Sequence, residues 1–277
     1  MPVHLMGFAR RSLQAAALVL WAVTTLHAQT SGQFEPQVGQ QGKDVVWVPT
    51  PPPLVEKMLD MAAVTPDDYV VDLGSGDGRN VIAAAKRGAR ALGVEYNPDM
   101  VALSRRTAEK EGVSEKATFV QGDMFEAKFS DATVLALFLL PSNMLALREK
   151  FFDLKPGTRI VANTFGIEAW DPDERQTLTD NCAAWCTALL WIVPAKVEGS
   201  WQTPQGEITF KQAYQMLSGA VASGGNTTPI EGRLRGDRIT FTASGSEYAG
   251  RVIGDAIEGT MTSNGATSAW KATRVRR

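Results

Sequence analysis

Tyr69-Val-Val-Asp72-Leu-Gly74-Ser-Gly76-Asp-Gly78-Arg-Asn80 is the stretch that decides the fold. Apolar residues run into an acid, then into three glycines at alternate positions, then into a helical pattern. That order predicts a buried strand turning through a glycine loop onto a helix N-terminus. Gly74, Gly76 and Gly78 permit positive φ and let a ligand approach bare backbone. Asp72 sits inside an otherwise apolar strand, where a buried acid needs a partner from loop amides or from a ligand's ammonium group.

Strands and helices alternate outward from this turn. A strand is predicted over residues 69–73, a helix over 80–87 stopped by Gly88, and a strand over 91–96. A helix follows over 98–110, opened by Pro98 and ended near Gly112. Further strands are expected over 117–120, 133–140 and 159–164, with a helix over 142–152. Apolar strands alternating with helices imply an α/β fold: a Rossmann-like, mostly parallel sheet with helices on both faces. Upstream, Pro51–Pro53 opens a helix running to Ala63, with Thr50 as its expected cap. Beyond Val193-Pro194 helical periodicity ends and short alternating runs begin. They predict a small antiparallel β domain, a meander or flattened barrel. Arg233-Leu-Arg-Gly-Asp237 and Arg251-Val-Ile-Gly-Asp255 read as repeated hairpin turns, which also accounts for the Arg235-Gly-Asp237 tripeptide. The expected division is a signal over 1–28, an extended segment over 29–43, the α/β domain over 44–195 and the β domain over 196–277.

Composition sets outer bounds. The 277 residues are 44% hydrophobic and 21% charged, as in an ordinary globular chain long enough for one large core and one smaller one. The formal charge of −2 supplies no basic face for nucleic acid. Arg10 and Arg11 precede the apolar run Leu13–Leu26, and Leu26-His-Ala28 resembles a cleavage site. The run is short for a membrane span, so no stable span is expected in the mature chain. Residues 9–13 also resemble a twin-arginine export signal. A periplasmic or secreted location follows as an expectation. Removing the signal takes away two arginines, and the charge goes from −2 to −4. It also removes His4 and His27, the only histidines, which leaves no imidazole for a general base, a catalytic triad or a metal. Cys182 and Cys186 are too few for zinc. They read either as a disulfide or as two buried thiols.

Two acids extend the glycine turn into a constellation. Glu95 closes the strand Ala91-Leu-Gly-Val-Glu95, 21 residues after Gly74, where a carboxylate can grip ribose hydroxyls. Asp123, in Gln121-Gly-Asp-Met124, can accept from an adenine amino group. The spacing departs from the nicotinamide fingerprint Gly-x-Gly-x-x-Gly, and no Gly-Lys-Ser/Thr follows to make a P-loop. Residues 46–165 resemble class I S-adenosylmethionine-dependent methyltransferases. Val48-Pro-Thr-Pro51, Asp72–Arg79 and Phe138-Leu-Leu-Pro141 look like the branch of archaeal and mitochondrial protein-lysine methyltransferases. The resemblance implies S-adenosyl-L-methionine as cofactor, held by Asp72, Gly74, Ser75, Gly76 and Gly78, by Glu95 with Tyr96, and by Asp123 with Met124. Thr50 lies in the segment similar to the cofactor and substrate entrance. Leu139 lies where other amino-methylating enzymes carry Asn/Asp-Pro-Pro-Tyr, so only backbone carbonyls are offered there. The implied acceptor is an amine, with protein lysine as the first expectation. A small-molecule acceptor and a non-catalytic, cofactor-binding envelope protein are the alternatives. No catalytic residue is assigned; Tyr96, Asn163 and Glu168 are the polar groups expected nearby. No metal is expected.

Overall fold

The computed structural model describes residues 34–275 together with Met1 and Pro2. From residue 3 on, the signal expected over 1–28, with its arginine pair and both histidines, lies outside the described residues.

The first strand, β1 (Tyr69–Leu73), is the centre of a seven-stranded sheet. Its other strands are β2 (Arg90–Glu95), β3 (Ala117–Gln121), β4 (Val134–Leu137), β5 (Arg159–Asn163), β6 (Glu174–Thr177) and β7 (Thr187–Ile192). The order is β3-β2-β1-β4-β5-β7-β6. The first five strands run parallel, while β7 is antiparallel to β5 and β6 to β7. The order reverses at β1, and in open parallel sheets that is where a ligand crevice forms, beyond the strands' carboxyl ends.

Alternation along the strands builds two cores, because successive side chains point to opposite faces. Val70, Ala91, Phe119, Val134 and Val161 face α1 (Pro52–Met61), α2 (Arg79–Lys86) and α3 (Pro98–Lys110). Val71, Leu73, Leu135, Leu137 and Ile160 face α4 (Pro141–Phe152), the Met124–Ala132 connection and Trp170. The helix ends follow their sequence signals. Asn97 caps α3 through a 2.9 Å bond from the Asp99 amide, and Gly88 turns the chain after α2 at φ +91°. One cap differs from expectation. Pro51 is the N-cap of α1, and no side chain caps it. Thr50 Oγ1 instead accepts from Asn163 Nδ2 at 3.3 Å, tying the α1 entrance to the end of β5.

The C-terminal strands form a closed eight-stranded antiparallel barrel: β8 (Gly199–Thr203), β9 (Gly206–Ala213), β10 (Met216–Ser223), β11 (Asn226–Arg235), β12 (Arg238–Ala243), β13 (Ser246–Ile253), β14 (Ala256–Ser263) and β15 (Ala266–Arg274). Successive strands pair, and β15 closes on β8, so the meander is an up-and-down barrel with no free edge. Trp201, Phe210, Ile230, Leu234, Ile239, Phe241 and Trp270 fill it. Its turns differ by end. Gly224-Gly225, Ser244-Gly245 and Asn264-Gly265 have positive φ at both central residues, the type I′ signature. At the other end Gly236-Asp237 and Gly254-Asp255 carry positive φ at the glycine alone, as type II′ requires. Arg235-Gly-Asp237 is therefore a hairpin turn. It faces the sheet: a Cβ on Gly236 would lie 3.2 Å from Gly157 Cα.

Candidate active site

The carboxyl ends of β1, β2 and β3 carry the three features that the sequence set apart. Gly74, Gly76 and Gly78 have φ of +72°, +55° and +81°, so the turn is built from conformations that side chains resist. Close packing enforces two of them. A Cβ on Gly76 would meet the Trp47 indole at 2.7 Å, and one on Gly78 would meet Phe119 at 2.6 Å. Glu95 Oε2 accepts from the Gly76 amide and Oε1 from the Asn97 amide, both at 2.9 Å. Those bonds fix the carboxylate and leave one lone pair on each oxygen for a ligand's hydroxyls. Asp123 Oδ1 accepts from the Phe125 amide at 2.9 Å, and Lys43 pairs with Oδ2. The hydrogen bond from Lys43 holds the Asp123 carboxyl below its ordinary range and raises the lysine in turn.

These groups border a cleft of about 670 Å³, open to solvent and roofed by residues 40–48. Gly74, Gly76, Glu95, Tyr96, Asp123 and Met124 line it together. A recess of about 300 Å³ continues it on the far side of Gly76, bordered by Thr50, Asp72, Gly74, Ser75, Gly76 and Asn80. Asp72 is 3% exposed. Burial pushes its carboxyl well above the ordinary range, against a single 3.1 Å hydrogen bond from Asn80 Nδ2. Ser75 Oγ and Asn80 Oδ1 are buried there without a protein partner. A recess bordered by an under-satisfied acid suits a polar, cationic occupant.

Leu139 is buried against the glycine turn, 3.3 Å from a Cβ placed on Gly74, and borders a third, apolar cavity rather than the cleft. Gly78 borders neither cleft nor recess. It is the N-cap of α2, held under Phe119 and Ser104, so its function is to let the turn enter the helix. Tyr96 is 52% exposed at the cleft mouth, with Lys43 Nζ 5.2 Å from its ring centre. Asn163 is buried and engaged with Thr50, and Glu168 is exposed, with its carbonyl accepting from Arg148. No acid–base pair converges on the recess from these three.

The segment over Gly39–Trp47 departs from the extended course expected up to residue 43. It doubles back: the Gly39 amide donates to the Trp47 carbonyl at 2.8 Å, the Trp47 amide to Gln40 at 2.9 Å and the Gly42 amide to Val45 at 2.9 Å. This narrow strap lays Lys43 on Asp123 and Trp47 on Gly76. Neither residue was marked by the sequence, because nothing local records a partner 80 or 29 positions away. Arg79 fastens the strap's end, donating to the Thr50 carbonyl at 2.6 Å while pairing with Asp77.

The ANTKMT methyltransferase domain family matches residues 72–174. The protein-lysine N-methyltransferase of Saccharolobus islandicus is 44% identical over 133 residues, which are 47% of this chain and 83% of that protein. The chain belongs to the class I S-adenosylmethionine-dependent methyltransferases. The mouse adenine nucleotide translocase lysine N-methyltransferase is 37% identical over 120 residues, which are 43% of this methyltransferase and only 52% of the mouse protein. A solved RNA methyltransferase of Salinibacter ruber, in complex with S-adenosyl-L-homocysteine, is 43% identical. It aligns with a TM-score of 0.51 over 54% of this chain and 96% of that one. The cofactor of the methyltransferase is S-adenosylmethionine. Cleft and recess fit it: two fixed carboxylates for the adenosyl part, and a buried, under-satisfied acid for the cationic amino-acid part.

Proposed function

We propose that this methyltransferase transfers a methyl group to lysine side chains of a protein, and that it does so outside the cytosol. The 44% identity to an archaeal protein-lysine N-methyltransferase, at 83% coverage of that relative, carries the acceptor. The apolar wall after β4 agrees with it. Phe138-Leu-Leu-Pro141 offers an amine no charged side chain, so the reaction relies on alignment and a dry pocket. Bound cofactor supplies an activated methyl on a sulfonium. In this reading Glu95 and Asp123 hold the adenosyl end, Asp72 with the turn amides orients the amino-acid end, and Trp47 excludes water from the turn.

Export is supported by the arginine-led apolar N-terminus and by the bond joining Cys182 and Cys186, since disulfides persist in oxidising compartments. An RNA acceptor has the printed name of the Salinibacter ruber protein in its favour, but the net negative charge opposes a polyanion.

Two measurements test the reading. Glu95→Ala should weaken S-adenosylhomocysteine binding by about 1–3 kcal/mol in calorimetry, the cost of losing bonds to a charged acceptor. Labelled cofactor offered to separated protein, RNA and small-molecule fractions should mark protein, with label recovered as methylated lysine. Label in RNA or in small molecules alone would overturn the acceptor, and recovery of the native enzyme only from the cytosolic fraction would overturn the location.

A further inference from the structure

Past the recess, along the sheet from β1 to β4 and β5, lies a small apolar cavity, partly open to solvent. It shares Val48 and Phe138 with the recess, so the two lie side by side. Phe138 follows β4, Phe165 follows β5, and Trp185 comes from the turn between β6 and β7. The three rings meet: Phe138 to Phe165 at 6.1 Å, Phe138 to Trp185 at 6.1 Å and Phe165 to Trp185 at 5.3 Å between centres. Every residue that lines the cavity is apolar.

Trp185 is held there against two ordinary preferences. It is 42% exposed, and its φ of +57° is rare for a bulky side chain. The Cys182–Cys186 bond, spanning 5.8 Å between Cα atoms, closes the turn that carries it. Residues kept in sparse backbone regions by a surrounding constraint concentrate at ligand clamps. Trp185 also lies beyond residues 72–174, the part shared with the methyltransferase family.

Building on the lysine reading above, we propose that Phe138, Phe165 and Trp185 form the acceptor port, with Trp185 as its disulfide-held outer wall, and that the port selects a long alkylammonium side chain. Aromatic faces attract an ammonium group and accommodate its methylene stem. The lack of an acid is equally telling. A carboxylate would pin the proton on the amine, whereas ring faces hold the ammonium weakly enough for it to lose that proton to water before transfer. The amine lone pair then forms the nitrogen–carbon bond as the carbon–sulfur bond breaks. The sulfur keeps that electron pair as a neutral thioether, and the methylated ammonium loses its surplus proton to solvent.

The test uses the full mature chain, labelled S-adenosylmethionine and poly-L-lysine. Trp185→Ala should lower kcat/KM about tenfold, the scale of a desolvated cation–π contact. The loss should lie in KM, while S-adenosylhomocysteine affinity stays within about twofold. Trp185→Phe should recover most of the loss, and the paired Cys182→Ser, Cys186→Ser change should reproduce part of it by freeing the turn. Independently of turnover, Nα-acetyl-L-lysine methylamide added to wild type with S-adenosylhomocysteine bound should show upfield ring-current shifts at its ε protons. Poly-L-lysine methylation by wild type that Trp185→Ala leaves undiminished overturns the port and leaves the lysine reading standing. A wild type that binds S-adenosylhomocysteine but neither methylates poly-L-lysine nor shifts the ε protons overturns both.

Discussion

Asp72 is the residue whose chemistry changes most when the site fills. Burial raises its pKa, and Asn80 is its sole hydrogen-bond donor among the protein's side chains described there. For an acid raised above its unfolded value of about 3.9, the folded state holds the proton longer. Apo stability is therefore greatest at or below that unfolded value and falls as pH climbs through the folded pKa. An amino-acid ammonium seated in the recess favours the carboxylate and reverses the shift. Binding of S-adenosylhomocysteine should thus release a proton at any pH where the apo carboxyl still holds one, seen across a pH series as a binding enthalpy that differs between buffers in proportion to their ionisation enthalpies. Asp72→Asn should abolish that difference and raise the apo melting temperature at about pH 8. Wild-type enthalpies that do not depend on the buffer at any pH in the series would refute the role given to Asp72. This residue was legible in the sequence because an acid inside an apolar strand has few uses. Asn80 was not, since an asparagine at a helix start reads as a solvent-facing group until the structure shows it buried beneath the turn.

Among the elements, those with a strong period were legible and those without were hidden. The helix over Pro98–Lys110 carries its start and stop in sequence and lies where they predict. β6 has no apolar residue, and β10 buries only Leu217 fully, so neither shows the alternation that betrays a strand. Thr187–Ile192 is an apolar run, but a short run does not distinguish strand from helix by period. The strap over Gly39–Trp47 was hidden for a different reason, as its fold depends on the cleft beneath it. Lys43 is half of an exposed ion pair, a contact worth about 0–1 kcal/mol. Such a latch closes the cleft without sealing it. Lys43→Ala should therefore speed both association and dissociation of S-adenosylhomocysteine by about two- to fivefold, with their ratio nearly constant. Trp47, which rests on Gly76, is the natural stopped-flow fluorescence reporter. A change confined to dissociation would make Lys43 a ligand contact and not a latch.

At the scale of the molecule, sheet and barrel are parts of one compact unit. The connection from β7 to β8 is buried: Ala195 and Val197 are at most 4% exposed, the Ala195 amide donates to Gly236 at 2.8 Å, and the Val197 amide donates to Gln212 at 2.7 Å. Aromatic packing continues the seam, with Tyr214 stacked on Trp170 at 5.1 Å and edge-on to Phe152 at 5.3 Å. At its polar end the Asp173 side chain is fully buried, accepting from the Ile192 amide at 2.7 Å and pairing with Arg233 of the barrel. Sequence texture marks where the barrel begins but says nothing of this seam, because its members come from α4, the β5–β6 connection, the β9–β10 turn and β11. A shared buried interface makes the two parts unfold together. Wild type should accordingly melt in a single calorimetric transition, with the van't Hoff enthalpy matching the calorimetric one. Asp173→Ala strands a backbone amide and loosens Arg233, at a cost of about 2 kcal/mol. For a unit of this size that corresponds to a fall of roughly 4–8 °C in Tm. The loss should reach the cleft only through global stability, leaving S-adenosylhomocysteine affinity unchanged well below the melting transition. Two resolved wild-type transitions would mean instead that the barrel folds on its own and that the seam is a contact between independent bodies.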